Sequence, residues 1–123
     1  MNIVDEATEF VFKYATYKDK EELRARIQKH FDYKTCRIVC DGAGMVCAVC
    51  LWNISPDGKV ALVIDMVIRK DYTRRDLMRR ILADGMKVWP VDFISYDRDY
   101  TEDGSNRGKR RLWSTKRFLR RKA

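Results

Sequence analysis

The sequence predicts an α/β fold: a mixed sheet with an N-terminal helix pair, an antiparallel hairpin and a C-terminal β-α-β unit. Three observations carry that expectation. Apolar residues recur at helical spacing through the first two segments, near residues 4–16 and 19–31. Two β-rich segments, 36–40 and 45–54, flank Asp41-Gly42-Ala43-Gly44, a turn signal, and so form a hairpin. A nearly all-apolar segment, 59–69, leads through a helical pattern to another apolar segment, 91–96, and strands joined through a helix run parallel.

In the first helix Val4, Ala7, Phe10, Val11, Tyr14 and Ala15 make the apolar face, and Lys18-Asp19-Lys20 breaks the pattern. The second places Leu23, Ile27 and Phe31 four apart, with Glu21 and Glu22 near its start, where the helix dipole favours acids. Cys36–Cys40 and Met45–Ile54 are the hairpin strands. Ser55-Pro56-Asp57-Gly58 turns the chain into Lys59–Arg69, which reads as a central strand covered on both faces. Thr73–Met86 is a helix with Leu77, Ile81 and Leu82 inward, ended by Val88-Trp89-Pro90. Val91–Tyr96 is the strand after it. Residues 97–108 read as a loop, and 110–119 as a strand with a basic end in preference to a helix. The chain is thus one domain: a helical pair (1–34), a central sheet and helix (35–96) and a basic C-terminal loop and strand or tail (97–123).

At 123 residues, 46% hydrophobic and 36% charged, the composition is that of a globular domain, neither disordered nor membrane-embedded. No apolar run reaches the ~18–20 residues a membrane span needs, and the acidic start lacks a leader-like apolar segment, so a cytoplasmic protein with no membrane partner is expected. Cysteines 36, 40, 47 and 50 are expected reduced, as small buried hydrophobes. Cys47 and Cys50, three apart on a strand, do not share a face, so no metal site is expected.

The net charge of +8 is unevenly placed. Residues 1–34 balance acids and bases. Arg69, Lys70, Arg74, Arg75, Arg79 and Arg80 crowd the third strand's end and the helix after it. Beyond Gly104 stand Arg107, Lys109, Arg110, Arg111, Lys116, Arg117, Arg120, Arg121 and Lys122 without an acid. Such polarity suits a polyanionic partner, nucleic acid or an acidic protein surface, or a solvated tail. Trp113 and Phe118 can stack on unpaired bases, or face the core of a last strand.

The segment Asp65–Leu82, DMVIRKDYTRRDLMRRIL, is a buried strand, a short basic turn and a helix opening on that turn. A helix N-terminus placed there is an anion site, through its free N–H groups and its dipole. Asp65, alone in an apolar strand, is a base with a raised pKa, or a structural carboxylate bonded to a neighbour. His30, near a helix C-terminus, is read as non-catalytic.

Element order and this segment resemble the GNAT superfamily of acyl-CoA-dependent N-acyltransferases. The family pattern is an acidic residue, an apolar strand, then P-x-Y-R/Q-x-x-G-x-G/A and a helix. Here Asp65 leads Met66-Val67-Ile68. Asp71-Tyr72 stands where D-Y often stands, Thr73 in place of Arg or Gln, and Asp76 and Met78 in place of the two small residues. The chain is most similar to short, basic GNAT-like proteins of phages, which implies the host cytoplasm or the virion as its place.

The resemblance implies acetyl-CoA or another acyl-CoA as cofactor. It would be cradled by Val67, Ile68, Arg69, Thr73, Arg74, Arg75, Asp76, Leu77, Met78 and Arg79. Asp65 is then the general base, with Tyr96 (or Tyr100) as the acid toward the leaving thiolate. Two substitutions bear on the cradle. A Met side chain crowds a diphosphate against the backbone, and Thr73-x-x-Asp76 can cap the helix from within. Two destinations follow: an N-acyltransferase, or a non-catalytic GNAT-like module whose Arg107, Lys109, Arg110, Arg111, Trp113, Lys116, Arg117, Arg120 and Arg121 hold nucleic acid.

Overall fold

The computed structural model describes residues 2–72, 74–97 and 110–115, the side chains of 74–76, 78, 96, 97 and 110–113 excepted. Two helices, α1 (Ile3–Tyr14) and α2 (Lys20–Asp32), precede three strands, β1 (Cys36–Cys40), β2 (Val46–Ile54) and β3 (Val60–Ile68). Helix α3 (Arg74–Val88) then leads to β4 (Phe93–Asp97), and β5 (Arg110–Ser114) closes the order. The sheet runs β1-β2-β3-β4-β5, antiparallel except for β3 against β4. The expected α/β class with a mixed sheet, hairpin and β-α-β unit is the observed one.

The first two helices begin as their sequence dictates. The Asn2 side chain accepts from the Asp5 N–H at 2.9 Å, and Asp19 from the Glu22 N–H at 3.1 Å, each satisfying a donor the helix itself leaves free. Two residues past the end of α2 stands Lys34, a non-glycine residue at φ 60°, whose N–H donates to the Phe31 carbonyl at 3.1 Å. The left-handed conformation costs a side-chain-bearing residue about 1 kcal/mol. Lys34→Gly is therefore expected to raise unfolding stability by about that amount, less the entropy a glycine adds to the unfolded chain, as read from urea titration.

Two cores form on opposite faces of the sheet. On one face Val4, Ala7, Phe10, Val11, Leu23 and Ile27 of α1 and α2 cover Val49 and Leu51. On the other, Leu77, Ile81 and Leu82 of α3 join Ala48, Cys50, Trp52, Ala61, Val63 and Ile94. The inward residues expected of α3 are thus confirmed. Alternate residues from Ala48 to Trp52 of β2 feed the two clusters, and β3, the middle strand as expected, sends Ala61 and Val63 to the α3 face and the half-buried Ile64 and Val67 to the other. β3 carries two buried residues against six in β2. Trp52 and Gly85 bring α3 close: a Cβ on Gly85 would stand 3.1 Å from the Trp52 ring.

The cysteines are all free. Cys47 and Cys50 are buried as expected, Cys36 half so, but Cys40 is exposed. Cys40 ends an edge strand, beyond a register shift at Val39/Cys40 that skips Cys47, where neither helix layer reaches it.

Candidate functional site

The site grows from an interruption in the sheet. β3 pairs with β4 only through Val60↔Phe93, Ala61↔Ile94 and Leu62↔Ser95. Beyond these pairs the β4-facing edge of β3 meets no strand among the described residues, while its other edge stays paired to β2 as far as Ile68. A bulge marks the change. Leu51 pairs with Asp65 and Trp52 with Val63, so Ile64 is skipped and β3 bends there. Two parallel strands therefore separate toward their carboxyl ends, the place where open α/β sheets receive ligands.

Residues 69–73 join β3 to α3. The helix that opens immediately beyond carries Arg74, Arg75, Asp76, Leu77, Met78 and Arg79 in its first turns. Leu77 is buried in the core and fixes the helix to the sheet. The Arg79 Nε is buried without a hydrogen-bond partner among the described residues. A cleft of ≈340 Å3 lies at this end of β3, between Tyr14 and Ala15 of the α1 terminus and Met66–Lys70, with Tyr72 beside it. Val67 and Ile68, read from the sequence as cradle residues, line it.

Arg69 lines the same cleft, but its charge is already used. Its Nε donates to Asp71 Oδ1 at 2.7 Å, and its Nη2 to Asp71 Oδ2 and to Asp41 Oδ2, each at 3.0 Å. The guanidinium also lies over the Tyr72 ring, 5.3 Å from its centre. The Arg69 guanidinium holds the Asp71 carboxyl below the ordinary carboxylate range. For Asp41 the Met45 N–H has the largest such effect, with Arg69 next.

Asp65 faces the α1/α2 side with its partner Leu51. It is paired, not isolated. Arg26 Nη2 of α2 lies 3.0 Å from Asp65 Oδ2, off the direction of a hydrogen bond, so the contact is ionic. Tyr17, between α1 and α2, hydrogen-bonds to the same carboxylate. Burial first, and the Asp65 charge second, push the Tyr17 hydroxyl up to about 12. Asp65 therefore stands beside an arginine and a tyrosine, next in sequence to Met66 of the cleft wall.

His30 is buried one turn beyond Arg26. Its Nδ1 lies 2.9 Å from Thr35 Oγ1, and the Trp52 backbone adds a hydrogen bond. Burial, then the Arg26 charge, lower its pKa. The sign follows: in the window below the unfolded value of about 6.5 the unfolded chain binds the proton and the folded one resists it. Urea stability is expected to fall as pH drops from about 7 through that window, and His30→Gln to flatten the slope.

Burial also pushes the Cys36 thiol up to about 12 and raises Cys47, which leaves both poor nucleophiles. Among the described residues no cluster of His, Cys, Asp and Glu could hold a metal ion, and no helix is long and apolar enough to cross a membrane.

Not every residue read from the sequence can be placed. Tyr96 lies on β4, pairing with Arg111 of β5. Arg110, Arg111 and Trp113 lie on β5, the strand expected there, antiparallel to β4. The positions Thr73, Arg107, Lys109, Lys116, Arg117, Arg120 and Arg121 lie outside the described residues. Sequence reading missed Tyr17, Arg26 and the role of Asp41. Their partners are far away in the chain, and only "D-G-A-G" as a turn gave any local signal.

No protein-family model matches the chain, and no curated protein matches its sequence. Solved structures do: the architecture is the fold of GNAT acetyltransferases. A chimera of the spermidine N-acetyltransferase SpeG from Vibrio cholerae and hSSAT superposes with a TM-score of 0.65 at 14% identity, over 97% of this chain and 95% of that one. The diaminobutyrate acetyltransferase EctA from Paenibacillus lautus, in complex with L-2,4-diaminobutyric acid and coenzyme A, gives 0.59 at 14% identity, over 85% of this chain and 64% of its own. A GNAT-family acetyltransferase from Staphylococcus aureus Mu50 gives 0.58 at 12% identity, over 80% and 70%.

Proposed function

We propose that the chain binds acyl-CoA and acts as an N-acyltransferase. The observation that carries the reading is the parting of β3 from β4 after three residue pairs, toward the end of β3 that leads into α3. Acyl-CoA would supply an acyl group activated as a thioester. Beyond Val63, the β4-facing edge of β3, which pairs with no strand among the described residues, offers backbone groups to the amides of its pantetheine arm. The start of α3, with Arg74, Arg75 and Arg79, offers positive charge to its phosphates, and the unpartnered Arg79 Nε supports an anion there. On the α2 side, Asp65, Tyr17 and Arg26 form a polar wall beside which an acceptor amine can stand. Asp65, held by Arg26, would orient that amine, and Tyr96 is the acid on the facing strand.

A thermal-shift titration tests the reading. At about 1 mM acetyl-CoA, a hundredfold above an assumed dissociation constant, about 2.7 kcal/mol of stabilisation is expected, a shift of several degrees. An unchanged melting temperature, with the protein shown folded, sinks it. Transfer to an amine, followed by mass, then decides whether binding goes with catalysis.

The charge distribution of the sequence favours a second reading, a GNAT-shaped module that binds nucleic acid or an acidic protein. Nine bases and no acid stand beyond Gly104. Affinity that falls steeply with salt and is lost on truncation after Thr115, which spares β5, is expected of it. Salt-independent binding counts against it. The phage-like setting implied by the sequence resemblance belongs to this reading.

A further inference from the structure

The turn that launches α3 is tied to a distant hairpin. Asp41 stands where β1 turns into β2, and its two carboxylate oxygens do separate work. Oδ1 accepts the N–H groups of Ala43 and Met45, both at 2.9 Å, and so shapes the hairpin turn. Oδ2 accepts from Arg69 Nη2 at 3.0 Å, across 28 residues of chain. Arg69 in turn grips both oxygens of Asp71, two residues on. Backbone bonds frame the same unit: Arg69 N–H donates to the Cys47 carbonyl at 2.9 Å, and Tyr72 N–H to the Arg69 carbonyl at 3.1 Å. The Arg69 side chain is 23% exposed and that of Asp41 14%, so this ion pair is largely withdrawn from water, unlike an ordinary surface pair.

We infer that Arg69 is a positioning residue, not a ligand: the Asp41–Arg69–Asp71 clamp fixes the turn between β3 and α3, and through it couples the β1–β2 hairpin to the cradle for the cofactor's diphosphate. The inference rests on the acyl-CoA reading for its ligand but not for its mechanics. A free arginine at the end of β3 would be a natural phosphate ligand. Here two carboxylates occupy two of its three nitrogens and more than offset its charge, so it contributes rigidity instead. The bidentate grip on Asp71 orders a turn of only a few residues, and the Asp41 contact anchors that turn to a hairpin built on two paired strands.

The test uses Asp41→Asn, Arg69→Met and the double variant. Asparagine keeps the Oδ1 acceptor for Ala43 and Met45 and gives up the charge that Arg69 grips. Amide hydrogen exchange is expected to speed up about tenfold or more at 70–77 in each variant, with protection of β2 unchanged. Coenzyme A affinity is expected to fall about tenfold in each single variant and no further in the double, because one unit is broken either way. Arg69→Lys, which keeps the charge without the planar two-pronged grip, is expected to restore only part of the affinity. Unchanged exchange at 70–77 overturns the inference, as do losses of affinity that add in the double variant. If wild-type protein does not bind coenzyme A, the acyl-CoA reading fails, and the clamp stands or falls on the exchange alone.

Discussion

Trp52→Ala is expected to lower the unfolding free energy by about 3–5 kcal/mol, the largest loss from any single truncation in the α3-side core. Trp52 is only 4% exposed, and it is the bulkiest member of the cluster that joins β2, β3 and α3. Its ring fills the space that Gly85 leaves open on α3, where even a methyl group would stand 3.1 Å away. Removing the indole takes away that contact along the helix and opens a cavity lined by Ile81 and its neighbours, which a sheet between two helix layers cannot collapse to fill. The consequence reaches the site, since α3 starts at the turn that faces the parted strands. Urea titration measures the stability loss. Coenzyme A titration of the folded fraction is expected to show weaker binding as well. A variant within about 1 kcal/mol of wild type would mean that the indole is not what seats the helix.

Ile27→Ala is expected to cost about 2–5 kcal/mol on the opposite face. Ile27 is fully buried, and it packs α2 against Val49 and Leu51 together with Leu23 and α1. It follows Arg26 directly and precedes His30 by three residues, so the same helical turn that it anchors presents the cation to Asp65 and the imidazole to Thr35. Loosening it should free the Arg26–Asp65 contact, whose members are 42% and 26% exposed, and raise the exchange of α2 amides above that of α3. Because the sheet separates the two cores, exchange in α3 is expected to rise only through global unfolding. Equal local loosening of both helices would show that the faces are not independent.

Much of the architecture is legible in the order of residues. The apolar spacing of Val4, Ala7, Phe10 and Val11, the Asp41–Gly44 turn and the apolar run within Lys59–Arg69 each encode a local choice. A period of 3.6 or 2 survives in the sequence because each element buries one stripe or one face. Leu77, Ile81 and Leu82 announced the inward face of α3 for the same reason. The prominence of β2 was less legible. A strand between two helix layers is apolar on both sides, as is one inside a parallel pair, and only packing distinguishes β2 from β3.

The candidate site divides along the same line. That a strand runs directly into an arginine-rich helical start, with Asp65 in the strand, follows from local pattern, and the chain's own residues determined it. Where charge ends up is decided by folding. Asp41, 28 residues earlier, closes on Arg69, a cradle residue in the sequence, and Arg26 and Tyr17 reach Asp65, whose sequence context left a base or a bonded carboxylate open. The parting of β3 and β4 is likewise a property of register, set by a bulge at Ile64 and three residue pairs. Periodicity is a local property written into neighbouring residues, whereas ion pairs and strand register are made between segments far apart in the chain, and their partners are chosen only when the layers pack.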